Sequence, residues 1–251
     1  MVVSQQSEGV FVNTDPSWPR ATSLLTSNSD ARVALIGIPA HETSISATRA
    51  DTTPPAVREA MNRYSTYCAT HDQELLSREV FDAGNVKAPD HPAGEARVHE
   101  KLAELSDKFV IAIGGDNSIT YSVATGLWGN EIERAGLITF DAHHDLRDGI
   151  SNGSPVERLV QAGLSGKRIV QIGIADFSNS PQYAQRAKEY GITVIPRSEL
   201  RNRTAESIVE QAISIAGALG GPMHVDFDVD VCDRSVVPGC PAAAPGGISA
   251  D

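Results

Sequence analysis

Asp141, His143 and Asp145 alternate in Asp141-Ala142-His143-His144-Asp145, directly after the apolar run Gly136-Leu137-Ile138-Thr139-Phe140. In an extended chain successive side chains point to opposite faces, so this spacing puts all three on one face. A second alternation, Asp226-Phe227-Asp228-Val229-Asp230, closes another apolar run far downstream. Five carboxylates and an imidazole brought together repel one another unless a cation neutralises them. The pattern therefore points to a metal site, and a divalent ion there would turn water into a nucleophile.

Such residues need a frame that carries distant segments to one place. The chain has 251 residues, 41% of them apolar and 21% charged, which fits one globular domain with a sizeable core. Its net charge is −11, with both signs mixed along the chain, which argues against nucleic acid as the main partner. No apolar run reaches the length of a membrane span, and residues 1–8 lack the basic and apolar parts of a secretory signal. Cys68, Cys232 and Cys240 are odd in number and show no Cys-x-x-Cys spacing. A reducing cytoplasm is the expected setting.

Residues 1–31 are polar and turn-rich and read as a surface arm, followed by a single domain over 32–251. Strands are expected at Val33–Ile38, Val80–Gly84, Phe109–Gly115, Leu137–Asp141, Ile169–Ile174, Ile192–Ile195 and His224–Asp228. Helices fit between them, at Pro55–Met61, Glu95–Ser106, Ser118–Leu127, Pro155–Ala162, Pro181–Tyr190 and Ala205–Ala218. Continuous apolar strands separated by helices predict an α/β fold of three layers, α-β-α, with a mostly parallel central sheet. Ligands in such sheets gather beyond the carboxyl ends of strands, where residues 114–118, 141–145 and 228–233 all lie.

Three of these segments resemble the arginase–agmatinase–formimidoylglutamase (ureohydrolase) superfamily. They are Gly114-Gly115-Asp116-Asn117-Ser118, Asp141-Ala142-His143-His144-Asp145 and Asp228-Val229-Asp230-Val231-Cys232-Asp233-Arg234. Pro245-Gly246-Gly247-Ile248 looks like the family's Pro-x-Gly-Gly-Leu turn. The resemblance implies an arginase-like fold and two Mn²⁺ ions joined by carboxylates and a bridging hydroxide that attacks an amidine carbon. Asp141 and Asp228 would be shared, His143 and Asp230 would complete one site, and Asn117 and Asp145 would serve the other. Asp141, His143 and Asp228 would carry the catalysis. Asn117 stands where the family has histidine, and a carboxamide binds a hard cation more weakly, so this second ion is expected to be loosely held.

Asparagine at Asn152 stands in Ser151-Asn152-Gly153-Ser154-Pro155, where arginases and agmatinases carry a histidine; formimidoylglutamases also lack it. They share Asp-Leu-Arg at Asp145-Leu146-Arg147, and Arg147 would pair with a substrate carboxylate. The expected reaction is hydrolysis of N-formimidoyl-L-glutamate to glutamate and formamide. Arg147 and Asn152 are the substrate-binding candidates. Rivals are an agmatinase or guanidino-acid ureohydrolase, a single-metal deacetylase-like amidohydrolase using Asp141, His143 and Asp228, and a catalytically impaired pseudoenzyme. Asp116 reads as a loop brace, His144 as a core residue on the face opposite His143, and His224, Asp226 and Asp233 as structural. Relatives form trimers or hexamers and continue beyond the Pro-x-Gly-Gly turn through another helix and strand. If the natural chain also ends at Asp251, an exposed sheet edge, poor stability and weak activity are expected; a longer chain of which this is a fragment is the alternative.

Overall fold

The structure, a computed structural model, describes residues 15–249. The apolar runs become strands β1 (Leu25–Thr26), β2 (Val33–Ile38), β5 (Val80–Asn85), β6 (Phe109–Gly114), β7 (Gly136–Phe140), β8 (Ile169–Ile174), β9 (Thr193–Pro196) and β10 (Met223–Phe227). A short antiparallel pair, β3 (Tyr67–Cys68) with β4 (Gln73–Glu74), lies outside the main sheets. Six helices fill the connections: α1 (Thr53–Ala60), α2 (His91–Ala103), α3 (Ile119–Trp128), α4 (Pro155–Gln161), α5 (Pro181–Tyr190) and α6 (Ala205–Ala216). A proline occupies the first or second position of α1, α2, α4 and α5, where its missing N–H leaves no intrahelical bond unmade. That explains why α2 starts at His91, ahead of the expected Glu95.

The strands form two all-parallel sheets, ordered β1-β5-β2-β6 and β10-β7-β8-β9. Helix α3 spans the seam between them. Its Ile119 and Val123 join the first core with Ile36, Ile38, Val98 and Leu102, while Ala124 and Trp128 join the second with Leu137, Leu159 and Ile169. Arg158 of α4 reinforces the seam with two bonds to Glu95 of α2, at 2.7 and 2.9 Å. A third core, Ile138, Val170, Ile172, Ile195, Ile208 and Ala212, seals the other face of the second sheet beneath α6. This three-layer parallel arrangement is the one expected.

Two differences stand out. Leu25 and Thr26, within the expected arm, pair with Val80 and Phe81 as an edge strand, because even two residues can satisfy an open ladder. The central sheet is also divided: β6 and β10 are both edges, leaving Phe109, Ile111, Val225 and Phe227 exposed. Among the described residues no helix is long and apolar enough to cross a membrane, and the three cysteines are free thiols.

Candidate metal centre

Strand β7 ends at Phe140, and the extended alternation expected through Asp145 does not form. The Asp141 carboxylate accepts a bond from the His143 N–H at 2.6 Å, folding the chain into a turn. Asp145 then takes a left-handed conformation, φ 52°. Asp228 repeats the device after β10, accepting from the Asp230 N–H at 2.9 Å and opening a short 3-10 turn over Val229–Val231. The neighbouring strands bring these loops together, and the Ala142 N–H donates to Asp230 Oδ1 at 3.0 Å. Gly173 of β8 (φ 99°) completes the fit; a Cβ there would lie 2.4 Å from a Val231 methyl.

The result gathers the expected ligands through turns. His143 Nδ1 lies 2.9 Å from Asp230 Oδ2 and 3.5 Å from Asp141 Oδ1. One ligand atom from each of Asp141, His143 and Asp230 falls within 4.8 Å of the others. Asn117, arriving from the end of β6, donates its amide N–H to Asp145 Oδ2 and, at 3.4 Å, to Asp141 Oδ2. Its oxygen faces away and accepts from the Thr120 hydroxyl at 3.1 Å.

The electrostatics record an uncompensated cluster. Burial, and then the charges of Asp145, Asp228 and Asp230, push the Asp141 carboxyl well above its ordinary range. Burial followed by Asp230 does the same to Asp228. Asp145 is pushed up to about 7 by burial, against the moderating charge of His143. For Asp230 burial pushes upward, but the bond and charge of His143, with the Ala142 N–H and Asp141, together outweigh it and the carboxyl sits below its usual value. His143 is correspondingly raised, chiefly by that bond. Buried carboxyls crowded in this way would be favoured in their charged form by a nearby positive charge.

The other sequence candidates take supporting places. Asp116 accepts from the Ser118 N–H and hydroxyl, at 3.0 and 2.6 Å, and from the Ser44 hydroxyl, so it braces its loop. Asp233 accepts from Ser235 and from the Gly246 N–H, and those bonds hold it down to about 2. His224 packs edge-on against Trp128, and burial lowers it to about 4. Burial raises Asp226 to about 6. Asn152 accepts from the Ile45 N–H at 3.0 Å, stapling the 43–45 loop to its own. Arg147 is exposed, its side chain lying across Gly153, where a Cβ would come within 2.9 Å of Arg147 Cδ.

Sequence reasoning missed the residues behind the loops. Arg197 is buried, and its guanidinium donates to the carbonyls of Asp230 and Val231, both at 3.3 Å. Gln171 and Asn179 hold the back of the 141–145 loop. Gln171 at least carried a signal, as the one polar residue in the run Ile169–Ile174.

Residues 31–251 match the model of the arginase family. The chain belongs to the arginase family. The resemblance read from the three segments is therefore borne out. The chain is 34% identical to the formimidoylglutamase of Halalkalibacterium halodurans over 225 residues, which cover 85% of this chain and 70% of that protein. The crystal structure of the Bacillus subtilis formimidoylglutamase superposes with a TM-score of 0.85 at 27% identity, covering 98% of this chain and 80% of that one. The Trypanosoma cruzi formiminoglutamase, solved with Mn²⁺, matches at a TM-score of 0.82 and 26% identity over 91% of this chain and 81% of that one. Arginase-family membership also agrees with the parallel α/β layers described above.

Proposed function

We propose that this chain hydrolyses N-formimidoyl-L-glutamate to L-glutamate and formamide, with Mn²⁺ held by Asp141, His143, Asp228 and Asp230. The observation that carries this reading is the convergence of Asp141, His143 and Asp230 within 4.8 Å, in a chain similar to formimidoylglutamases. The donor set fits a hard divalent cation, being carboxylate oxygens and one imidazole without thiolate. A cation would also relieve the repulsion that drives Asp141 and Asp228 upward. When bound, the ion supplies Lewis-acid polarisation and an acidified water.

The rest is the work of side chains. Asp141 is 2% exposed and so is itself shielded from bulk water. To serve as ligands, His143 Nδ1 would release to solvent the proton it shares with Asp230, freeing both groups for the ion. In the overall reaction the water oxygen ends on the formimidoyl carbon. The bond from that carbon to the glutamate nitrogen breaks, and the amine leaves with a proton. Arg147, exposed beside Gly153, would pair with a substrate carboxylate, and the Asn152 amide N–H would donate beside it.

The expected result is formamide release from N-formimidoyl-L-glutamate by the manganese-loaded chain, with no urea from agmatine or arginine. Urea from agmatine without formamide would move the reading to a guanidino substrate.

One observation favours a centre that runs on one firmly held ion. Asn117 offers a carboxamide where the family has histidine, and a carboxamide oxygen binds a hard cation more weakly than imidazole. To ligate a second cation it would present its oxygen, which here accepts from the Thr120 hydroxyl. Asn117→His should therefore raise retention of a second Mn²⁺ by about tenfold or more. Atomic emission after gel filtration would read about one equivalent for the unaltered chain and two for the variant. Two firmly held equivalents in both would reject the loose-site account.

A further inference from the structure

Gln171 stands in the middle of β8, fully buried, between Val170 and Ile172. An amide in such a place carries a desolvation cost unless every polar atom is matched. Its two partners belong to a single residue. Gln171 Nε2 donates to the His144 carbonyl at 2.8 Å, and Gln171 Oε1 lies 2.7 Å from His144 Nδ1. The carbonyl can only accept, so the amide must turn its NH₂ there and its oxygen to the ring. His144 Nδ1 therefore carries the proton. Main chain and ring of one residue are thus tied to one planar group. Asn179 closes the other flank, accepting from the His144 N–H at 3.0 Å and donating to the Ala142 carbonyl at 2.9 Å.

We propose that Gln171 is a positioning residue for the metal ligands: by holding both the carbonyl and the ring of His144, it fixes the 141–145 loop in the form that gathers Asp141, His143 and Asp145. This rests on reading the loop as metal-binding. Regular elements hold the loop only at its ends, where the Asp141 N–H donates to the Ile172 carbonyl at 3.0 Å and the Asp145 carbonyl accepts from the Glu157 N–H at 3.2 Å; at His144 both main-chain groups depend on side chains, and Asp145 sits at φ 52°. The amide holds the loop from behind, where it touches neither substrate nor cation.

The test is manganese affinity, read from the electron paramagnetic resonance signal of free Mn²⁺, alongside the melting temperature of the metal-free protein. Gln171→Leu is expected to weaken Mn²⁺ binding by about 10- to 100-fold. That change also orphans the His144 ring nitrogen, so a second variant, His144→Phe with Gln171→Leu, removes both partners. It should recover most of the lost melting temperature while binding Mn²⁺ at least about tenfold more weakly than the unaltered chain. A merely structural role would return affinity together with stability. Binding within twofold of the unaltered chain, in either variant that keeps native circular dichroism, overturns the proposal. An unaltered chain that binds no Mn²⁺ refutes the metal reading itself, before any variant is compared.

Discussion

Asp141→Asn should lower kcat/KM for N-formimidoyl-L-glutamate by at least about 1,000-fold, some 4 kcal/mol of transition-state stabilisation, while making the metal-free protein more stable. The two effects have one cause. Asp141 is buried among Asp145, Asp228 and Asp230, and its carboxyl is pushed well above its ordinary range by burial first and those charges second. A neutral amide of the same shape still accepts the His143 N–H bond made at 2.6 Å. It removes the charge that the folded chain tolerates poorly, and with it the carboxylate that holds the cation. Such an exchange of stability for activity marks a functional residue. Melting curves in chelator and in Mn²⁺, beside formamide rates, would check it. A metal-free variant that melts lower than the parent, or one that keeps a tenth of the activity, would count against a ligand role.

Manganese binding should tighten as pH rises toward 7, by up to about tenfold per pH unit for each proton displaced. Asp145 sits at about 7 and Asp226 at about 6, both above an ordinary 3.8. His143 is raised as well. A group whose folded value lies above its unfolded one binds protons more tightly in the folded state. Its contribution to metal-free stability is full below about pH 4 for the two aspartates. That contribution is lost as pH climbs through about 6 for Asp226 and about 7 for Asp145. Asp230, which is lowered, acts in the opposite sense, and only at acid pH. Between pH 5 and 8 the metal-free chain should thus lose stability while Mn²⁺ binding grows, so chelator should depress the melting temperature far more at pH 8 than at pH 5. Calorimetric titrations in buffers of different ionisation enthalpy would count the protons released. Affinity that is flat or falls across that range would contradict the assigned groups.

Much of this centre is legible in the residues because chemistry and fold share the same signals. Apolar runs such as Ile169–Ile174 mark buried parallel strands, and the acidic residues that follow such runs mark the ends where a site collects. The path by which they meet is less legible. Alternation in Asp141–Asp145 suggests a strand, yet an aspartate that bonds to the N–H two residues on makes a turn instead. The pairing of Leu25–Thr26 with β5 depends on a partner far along the chain, as does the break between β6 and β10. Asn117 illustrates a further limit: its type is visible in the sequence, whereas which end of its amide faces Asp145 follows from that carboxylate, which can only accept. Gln171 could have been singled out as a polar residue in an apolar run. Asn179, in the polar stretch Asp176–Ser180, carried no such mark.

The most direct test of a divalent centre built from Asp141, His143, Asp228 and Asp230 is anomalous diffraction at the manganese edge from Mn²⁺-soaked crystals of this chain. A peak at coordination distance from these four side chains, with a weaker one beside Asp145 and Asn117, is the result expected. Crystals that carry manganese elsewhere, or none at that position with all four side chains ordered, would contradict it.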